Sequence, residues 1–246
     1  WENAVAGIAG YVSVFGADGA GSVDALVGDE IVKEIVLVGF GGHAKSVIDS
    51  IEGMKAYKIA GYVDSADMPD YKGYTRIGND AELEKLYAGG IHDAVLTIGF
   101  MGRSRRRNQL YEYMKKIGYR FPVIVDQSAI IASDAVIQEG TYIGKRAVIN
   151  ADARIGRMCI INTGAIIEHE CVVGDFSHVA VGANLCGQCV VGENTFIGAG
   201  ATVIQQRQIG NEAIVGAGCT IKRNIGNRCI CKETDDGLAS VQMEES

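Results

Sequence analysis

The sequence predicts a small doubly wound α/β domain followed by an all-β helix of short parallel strands, and three observations predict it. From Ile131 to Ile221 every sixth residue is Ile, Val or Leu, sixteen positions without a slip. The residue two before each of these is Ala, Cys, Ser or Thr, with Arg207 the one exception. Upstream, residues 34–125 alternate apolar strand-like runs with amphipathic helical stretches, the pattern of a parallel sheet covered by helices.

A period of six fits neither an α-helix nor a flat alternating strand. It fits a prism in which the chain turns a corner every six residues and points the aliphatic residue inward. Three hexads make a coil, so residues eighteen apart stack as neighbouring strands about 4.8 Å apart. Sixteen hexads give slightly more than five coils. The repeat is expected to end at Ile221, because Asn227 takes the next aliphatic slot. Residues 224–246, polar and acidic at their end, read as a loose or capping tail. Cys159, Cys171, Cys189 and Cys219 occupy the small inward slot and read as buried hydrophobes, while Cys186 sits at a corner. Cys229 and Cys231 form a C-x-C pair, which is weak evidence for metal.

In the upstream domain, residues 34–38 (EIVLV) are a buried-strand run, followed by a tight turn, Gly39 to Ala44, rich in glycine. A helix over 45–54, a strand over 58–63 ending at Asp64 and a helix over 81–88 come next. A strand over 93–98 ending at Gly99, a helix over 105–117 and a strand over 121–125 lead into the first coil. The boundaries expected are 1–33, an unassigned leader, 34–125, 126–223 and 224–246.

The 33 glycines and 2 prolines among 246 residues suit a solenoid with many corners. A net charge of −7 argues against a general nucleic-acid binder, though not against a phosphate-bearing small ligand. No apolar run approaches the roughly 18 residues of a membrane helix. Residues 4–15 are apolar but lack a basic leader and a cleavage site. The cysteine pattern suggests a reducing, cytoplasmic setting.

Two places bear chemistry. The residue after each inward aliphatic is often Gly or Asn, read here as a corner that tolerates left-handed backbone. After Ile167 the corner holds Glu168-His169-Glu170 instead, a charged trio where the scaffold prefers small residues. Glu170 is placed to accept a hydrogen bond from the His169 imidazole; the plainer reading is an exposed histidine with solvated carboxylates. His178, half a coil later, meets His169 only across a subunit boundary. Two histidines in the repeat are too few for the three-histidine zinc sites such prisms can hold. The second place is the carboxyl edge of the sheet. There Gly39, Gly41, Gly42 and His43 open a helix whose free N–H groups suit a phosphate, and Asp64 and Gly99 end the neighbouring strands. The run from Arg103 to Arg107 reads as a phosphate support or, more plainly, as a solvated helix start.

Over about residues 34–223 the chain resembles the sugar acyltransferases that join a Rossmann-like nucleotide-sugar-binding domain to a left-handed parallel β-helix. It is most similar to the UDP-4-amino-sugar N-acetyltransferases of bacillosamine-type pathways. The most specific stretch is 162–183, NTGAIIEHECVVGDFSHVAVGA. The resemblance implies a homotrimer with acetyl-CoA in the groove between helices, His169 as general base and Glu170 as its orienting partner. It implies that Gly41, Gly42, His43, Asp64, Ser65 and Gly99 hold the nucleotide sugar, and that His178, Ala199 and Ala217 contact acetyl-CoA. Three departures stand out. Asp126-Gln127 replaces a usual His-Pro, residues 224–232 (NIGNRCICK) replace a usual Gly-x-Pro-Ala-Lys tail, and residues 1–33 have no counterpart.

The chemistry agrees with the resemblance. A sugar ammonium must lose a proton before it attacks a thioester, and an imidazole suits that step. The oxyanion so formed needs a fixed donor, and the backbone N–H of Gly187, one coil after His169, is the candidate. The function expected is N-acetylation of a nucleotide-activated amino sugar. The alternatives are O-acetylation of a sialic-acid-like sugar and a non-catalytic scaffold. The partners expected are the sugar substrate and two further copies of the chain, with no nucleic acid, membrane insertion or metal.

Overall fold

The computed structural model describes residues 32–102, 105–234 and 237–242, so almost all of the expected leader, and Arg103 and Ser104, lie outside the described residues. The first domain runs β1 (Lys33–Val38), α1 (Gly42–Met54), β2 (Tyr57–Val63), β3 (Arg76–Gly78), α2 (Leu83–Ala88), β4 (Asp93–Leu96) and α3 (Arg106–Ile117). The four strands form one parallel sheet in the order β3-β2-β1-β4. Central β1 is apolar without alternation because both its faces are covered. Ile35 and Leu37 pack with Val47, Ile48 and Ile51 of α1, whereas Val36 and Val38 pack with Leu110 and Met114 of α3. Strand β3 was not foreseen; its three half-buried residues carry no apolar run. The helix expected over 81–88 begins as a 3₁₀ turn, Asp80–Glu82, closed by a capping box between Asn79 and Glu82.

The second domain opens with β5 (Ile124–Val125). Sixteen two-residue strands follow, from β6 (Ile130–Ile131) to β21 (Thr220–Ile221), each ending on an inward aliphatic of the repeat. They sort into three parallel faces. The first holds β5 and every third strand after it, the second starts with β6 and the third with β7 (Val136–Ile137). Partners lie eighteen residues apart, as in Ile155 beside Val173, and the inward residues form one continuous buried column.

The corners correct one expectation. Glycines that follow the inward aliphatic directly, such as Gly198 and Gly210, do not have positive φ. They are small because the next coil lies against them: a Cβ on Gly198 would sit 2.5 Å from the Ala217 nitrogen. The left-handed position falls two residues later, at Glu170 (φ 58°) and Gln188 (φ 62°) on one edge and at Gly182 and Gly200 on another.

The core also continues past Ile221. Ile225 bridges to Ile209, and β22 (Cys229–Thr234) pairs Ile230 with Ile214 and Cys231 with Val215. The offset drops from eighteen to sixteen, which hides this last partial coil from a strict six-residue period. Cys231 points into the column, fully buried, and β23 (Gly237–Gln242) closes the end antiparallel to β22. Among the described residues no cluster of His, Cys, Asp and Glu is suited to a metal, and no helix is long and apolar enough to cross a membrane.

The α/β domain sits on the first face of the prism. Tyr142 and Ile160, outward on that face, join the core beneath α1, and Met158 and Phe176 join the core beneath α3. Asp126 fastens the junction: its buried carboxylate accepts from the Ser50 hydroxyl of α1 at 2.7 Å and from Lys145 at 3.1 Å.

Candidate active site

At the carboxyl edge of the sheet the foreseen loops do converge. Gly39, at φ 96°, turns where a Cβ would press 2.6 Å from Ile98, so only glycine fits between the ends of β1 and β4. The Phe40 N–H donates to Asp64 Oδ2 at 2.9 Å, tying the turn to the end of β2. Gly41 and Gly42 are exposed, have open space where a side chain would be, and start α1 with no side-chain cap. Ser65 and Gly99 are exposed beside them. This is a cradle of free backbone donors at the positive end of a helix dipole.

His43 is less simple. Its ring meets Tyr142 edge-on at 5.3 Å, and its Nε2 is buried without a hydrogen-bond partner. Burial first, then the Arg107 and His178 charges, push it down to about 3, so it is neutral at physiological pH. His178 lies on the same covered face, 9% exposed. The Phe100 carbonyl, 2.6 Å from His178 Nδ1, can only accept, so Nδ1 carries the proton and Nε2 faces the Asn162 amide at 3.3 Å. Burial holds this imidazole near pKa 4.

His169 is elsewhere. It occupies the edge between β12 (Ile166–Ile167) on the second face and β13 (Val172–Val173) on the third. That edge is opposite the first face, which bears the α/β domain. The ring is half exposed, and its Nδ1 lies 3.0 Å from Glu170 Oε2. The hydrogen bond from His169 and a second from Gln188 hold the Glu170 carboxyl below its usual range. Gly187 is glycine because of the imidazole: a Cβ there would meet His169 Nε2 at 2.5 Å. On the edge between the first and second faces, Ala199, Ala217 and Val181 are exposed in one column, each followed by a glycine with positive φ. The result is a rail of small residues and glycines with Val181 as its one larger side chain.

One chain therefore gathers the glycine cradle, Asp64, His43 and His178, and separates them from His169, Glu170 and Gly187. Reading the sequence missed Asn162 as the partner of His178 and Phe100 as its anchor. It read the basic run as a solvated helix start, which holds for Arg105 and Arg106 but not for Arg107. Arg105 and Arg106 are solvated and paired with Glu212 and Asp80, but Arg107 is 2% exposed, donates to the Met158 carbonyl and leaves two nitrogens unpartnered. No motif marks it, since its burial depends on Met158 folding over α3.

A stacked prism of hexads headed by an α/β domain with an anion cradle defines a hexapeptide-repeat transferase. Residues 34–114 match the PglD N-terminal domain family, and residues 188–223 match the bacterial transferase hexapeptide family. The fold is similar to a histidine-to-asparagine mutant of perosamine N-acetyltransferase from Caulobacter crescentus, in complex with CoA and GDP-perosamine. That likeness has 32% identity over 81% of this chain and 93% of the other, with a TM-score of 0.77. The acetyltransferase domain of PglB from Neisseria gonorrhoeae, in complex with acetyl coenzyme A, is 26% identical over 85% of this chain and 99% of that one, with a TM-score of 0.78. No curated protein matches the chain. The chain belongs to the hexapeptide-repeat sugar N-acetyltransferases that carry a PglD-like N-terminal domain, and its prism is a left-handed parallel β-helix.

Proposed function

We propose that this chain transfers the acetyl group of acetyl-CoA to the amine of a nucleotide-activated 4-amino-4,6-dideoxy sugar, in a homotrimer whose active sites lie between chains. The observation that carries this reading is the position of His169 and Glu170 on the edge opposite the α/β domain. A cradle for the nucleotide and a base for the amine are both present, and only a second chain brings them together. The glycine-lined rail of Val181, Ala199 and Ala217 fits the remaining wall of such a groove, along which coenzyme A would lie. The family likeness supports the donor, since both relatives described above hold CoA or acetyl-CoA. The seven free thiols support a reducing, cytoplasmic site of action.

In this reading Gly41, Gly42 and the start of α1 hold the diphosphate, with His43, Asp64, Ser65 and Gly99 around the rest of the nucleotide sugar. The neutral amine attacks the thioester carbonyl carbon while His169 Nε2 takes its proton, and Glu170 steadies the imidazolium through Nδ1. The carbonyl oxygen becomes an oxyanion facing the Gly187 N–H. Collapse breaks the carbon–sulfur bond, and the leaving thiolate takes the proton back from His169, giving the amide and free CoA. His178, neutral and fixed by Phe100 and Asn162, borders the same groove beside acetyl-CoA.

A UDP-linked acceptor is the first reading. A GDP-linked one is favoured by the 32% identity to an enzyme solved with GDP-perosamine. Thiol release from acetyl-CoA, measured with UDP-, GDP- and dTDP-4-amino sugars and with free sialic acids, tests both. Turnover of a nucleotide 4-amino sugar that falls by about 10²-fold or more in His169→Ala is the expected result. Turnover of hydroxyl acceptors alone would make the chain an O-acetyltransferase. No turnover of any acceptor would leave it a scaffold, and a fully active His169→Ala would remove the base.

A further inference from the structure

The edge that carries His169 also carries a ladder of amides. Glu170, Gln188 and Gln206 lie eighteen residues apart, each in the left-handed corner position of its coil, with φ of 58°, 62° and 62°. Gln206 Nε2 donates to Gln188 Oε1 at 2.9 Å. Gln188 Nε2 in turn donates to both oxygens of Glu170, at 3.2 and 3.1 Å. Glu170 Oε2 completes the series at His169 Nδ1, 3.0 Å away. The backbone holds the rungs in register, since the Gln188 N–H donates to the His169 carbonyl and the Gln206 N–H to the Gly187 carbonyl.

The direction of this series matters. Because the Glu170 carboxylate can only accept, the Gln188 NH₂ group must face it, which leaves the Gln188 oxygen to accept from Gln206. A carboxylate gripped this way cannot swing into solvent, and an amide polarised by a second amide donates more strongly. Neither glutamine is needed by the prism: both side chains lie on the outside, and the same position is Asp152 one coil below Glu170.

We propose that Gln188 and Gln206 are positioning residues for the His169–Glu170 pair. They fix the Glu170 carboxylate so that the imidazole keeps its proton on Nδ1 and leaves Nε2 free to accept one. This deepens the proposed function and rests on His169 being the base. The charged groups around the imidazole are Glu168 and Glu170 on its own turn and the Asp152–Arg154 pair on the coil below. The coil above presents Gly187, the uncharged Gln188 and Cys186, whose thiol is pushed up by burial and by the neighbouring Cys189 and Glu168, with Arg207 beside Gln206 one coil further on.

The test follows the His169 ring signal by NMR against pH, assigned by its loss in His169→Ala, together with the pH profile of kcat. Gln188→Glu places a second carboxylate against Glu170 and is expected to move both the ring titration and the acid limb of kcat upward by about half a pH unit or more. Gln188→Leu is expected to lower kcat about tenfold with both KM values unchanged and to weaken the preference for the Nδ1–H tautomer. Gln206→Leu should act in the same direction but less. An unchanged titration and tautomer in the Gln188 variants would overturn the proposal. So would lost activity accompanied only by a lower Tm, which would mean that the glutamines merely hold the fold. If the titration moves but His169→Ala turns over at the wild-type rate, the base assignment has failed, and the NMR data show that it, rather than the ladder, is at fault.

Discussion

At the scale of single residues, the site depends on which glycines are small for the backbone and which for a neighbour. Gly187 belongs to the second kind, with no positive φ but with the His169 ring where its Cβ would be. Gly187→Ala should therefore fold as well as wild type and push the imidazole aside. A displacement on the order of 1 Å costs about 10² in rate, so kcat should fall that far with an unchanged Tm. Full activity would mean that the ring position is immaterial. The pair itself was legible before the fold, because Glu168-His169-Glu170 broke the habit of small residues at the corners. Gln188 and Gln206 were legible in principle, since eighteen-residue stacking places Gln188 beside Glu170 and Gln206 beside Gln188. The partners of His178 were not, because Phe100 reaches it across seventy-eight positions of sequence and no local pattern encodes such a contact.

At the scale of elements, the hexad period located all sixteen repeat strands, because an inward aliphatic every six residues has no other packed solution. It lost the last partial coil when the offset slipped to sixteen, and it lost β3, which has no apolar run. Asp126 illustrates how a departure from the family pattern acquires a role. Burial alone would raise its carboxyl, but hydrogen bonds from Ser128, Ser50 and Lys145 outweigh that and hold it well below the usual range. A carboxyl lowered by folding stabilises the fold above about pH 4 and loses that contribution as pH falls toward its folded value. Asp126→Ala should cost about 1–3 kcal/mol at neutral pH. In denaturant titrations its gap from wild type should narrow steadily below about pH 4. A gap that is independent of pH would show that the charge is not what joins α1 to the prism.

At the scale of the whole molecule, the separation of the glycine cradle from His169 and Glu170 is the central fact. The first face is covered by the α/β domain, and the edge bearing His169 lies opposite it; in the proposed trimer that edge faces a neighbouring chain. Light scattering should give a mass three times that of the chain, and a monomer with full activity would contradict the reading. Mixed assemblies test the shared site most directly. Gly41→Glu should fold, since nothing lies within 4 Å of a Cβ at that position, and its charge should repel a diphosphate from the cradle. His169→Ala leaves the cradle intact and removes the base. Each variant alone should be nearly inactive. Co-expressed in equal amounts, they should recover about a quarter of wild-type turnover, because a site shared between neighbours in a closed ring draws its two halves independently. If the mixture stays as inactive as its parents while wild-type chains mixed with either variant remain active, cradle and base act within one chain, and the shared site proposed here is wrong.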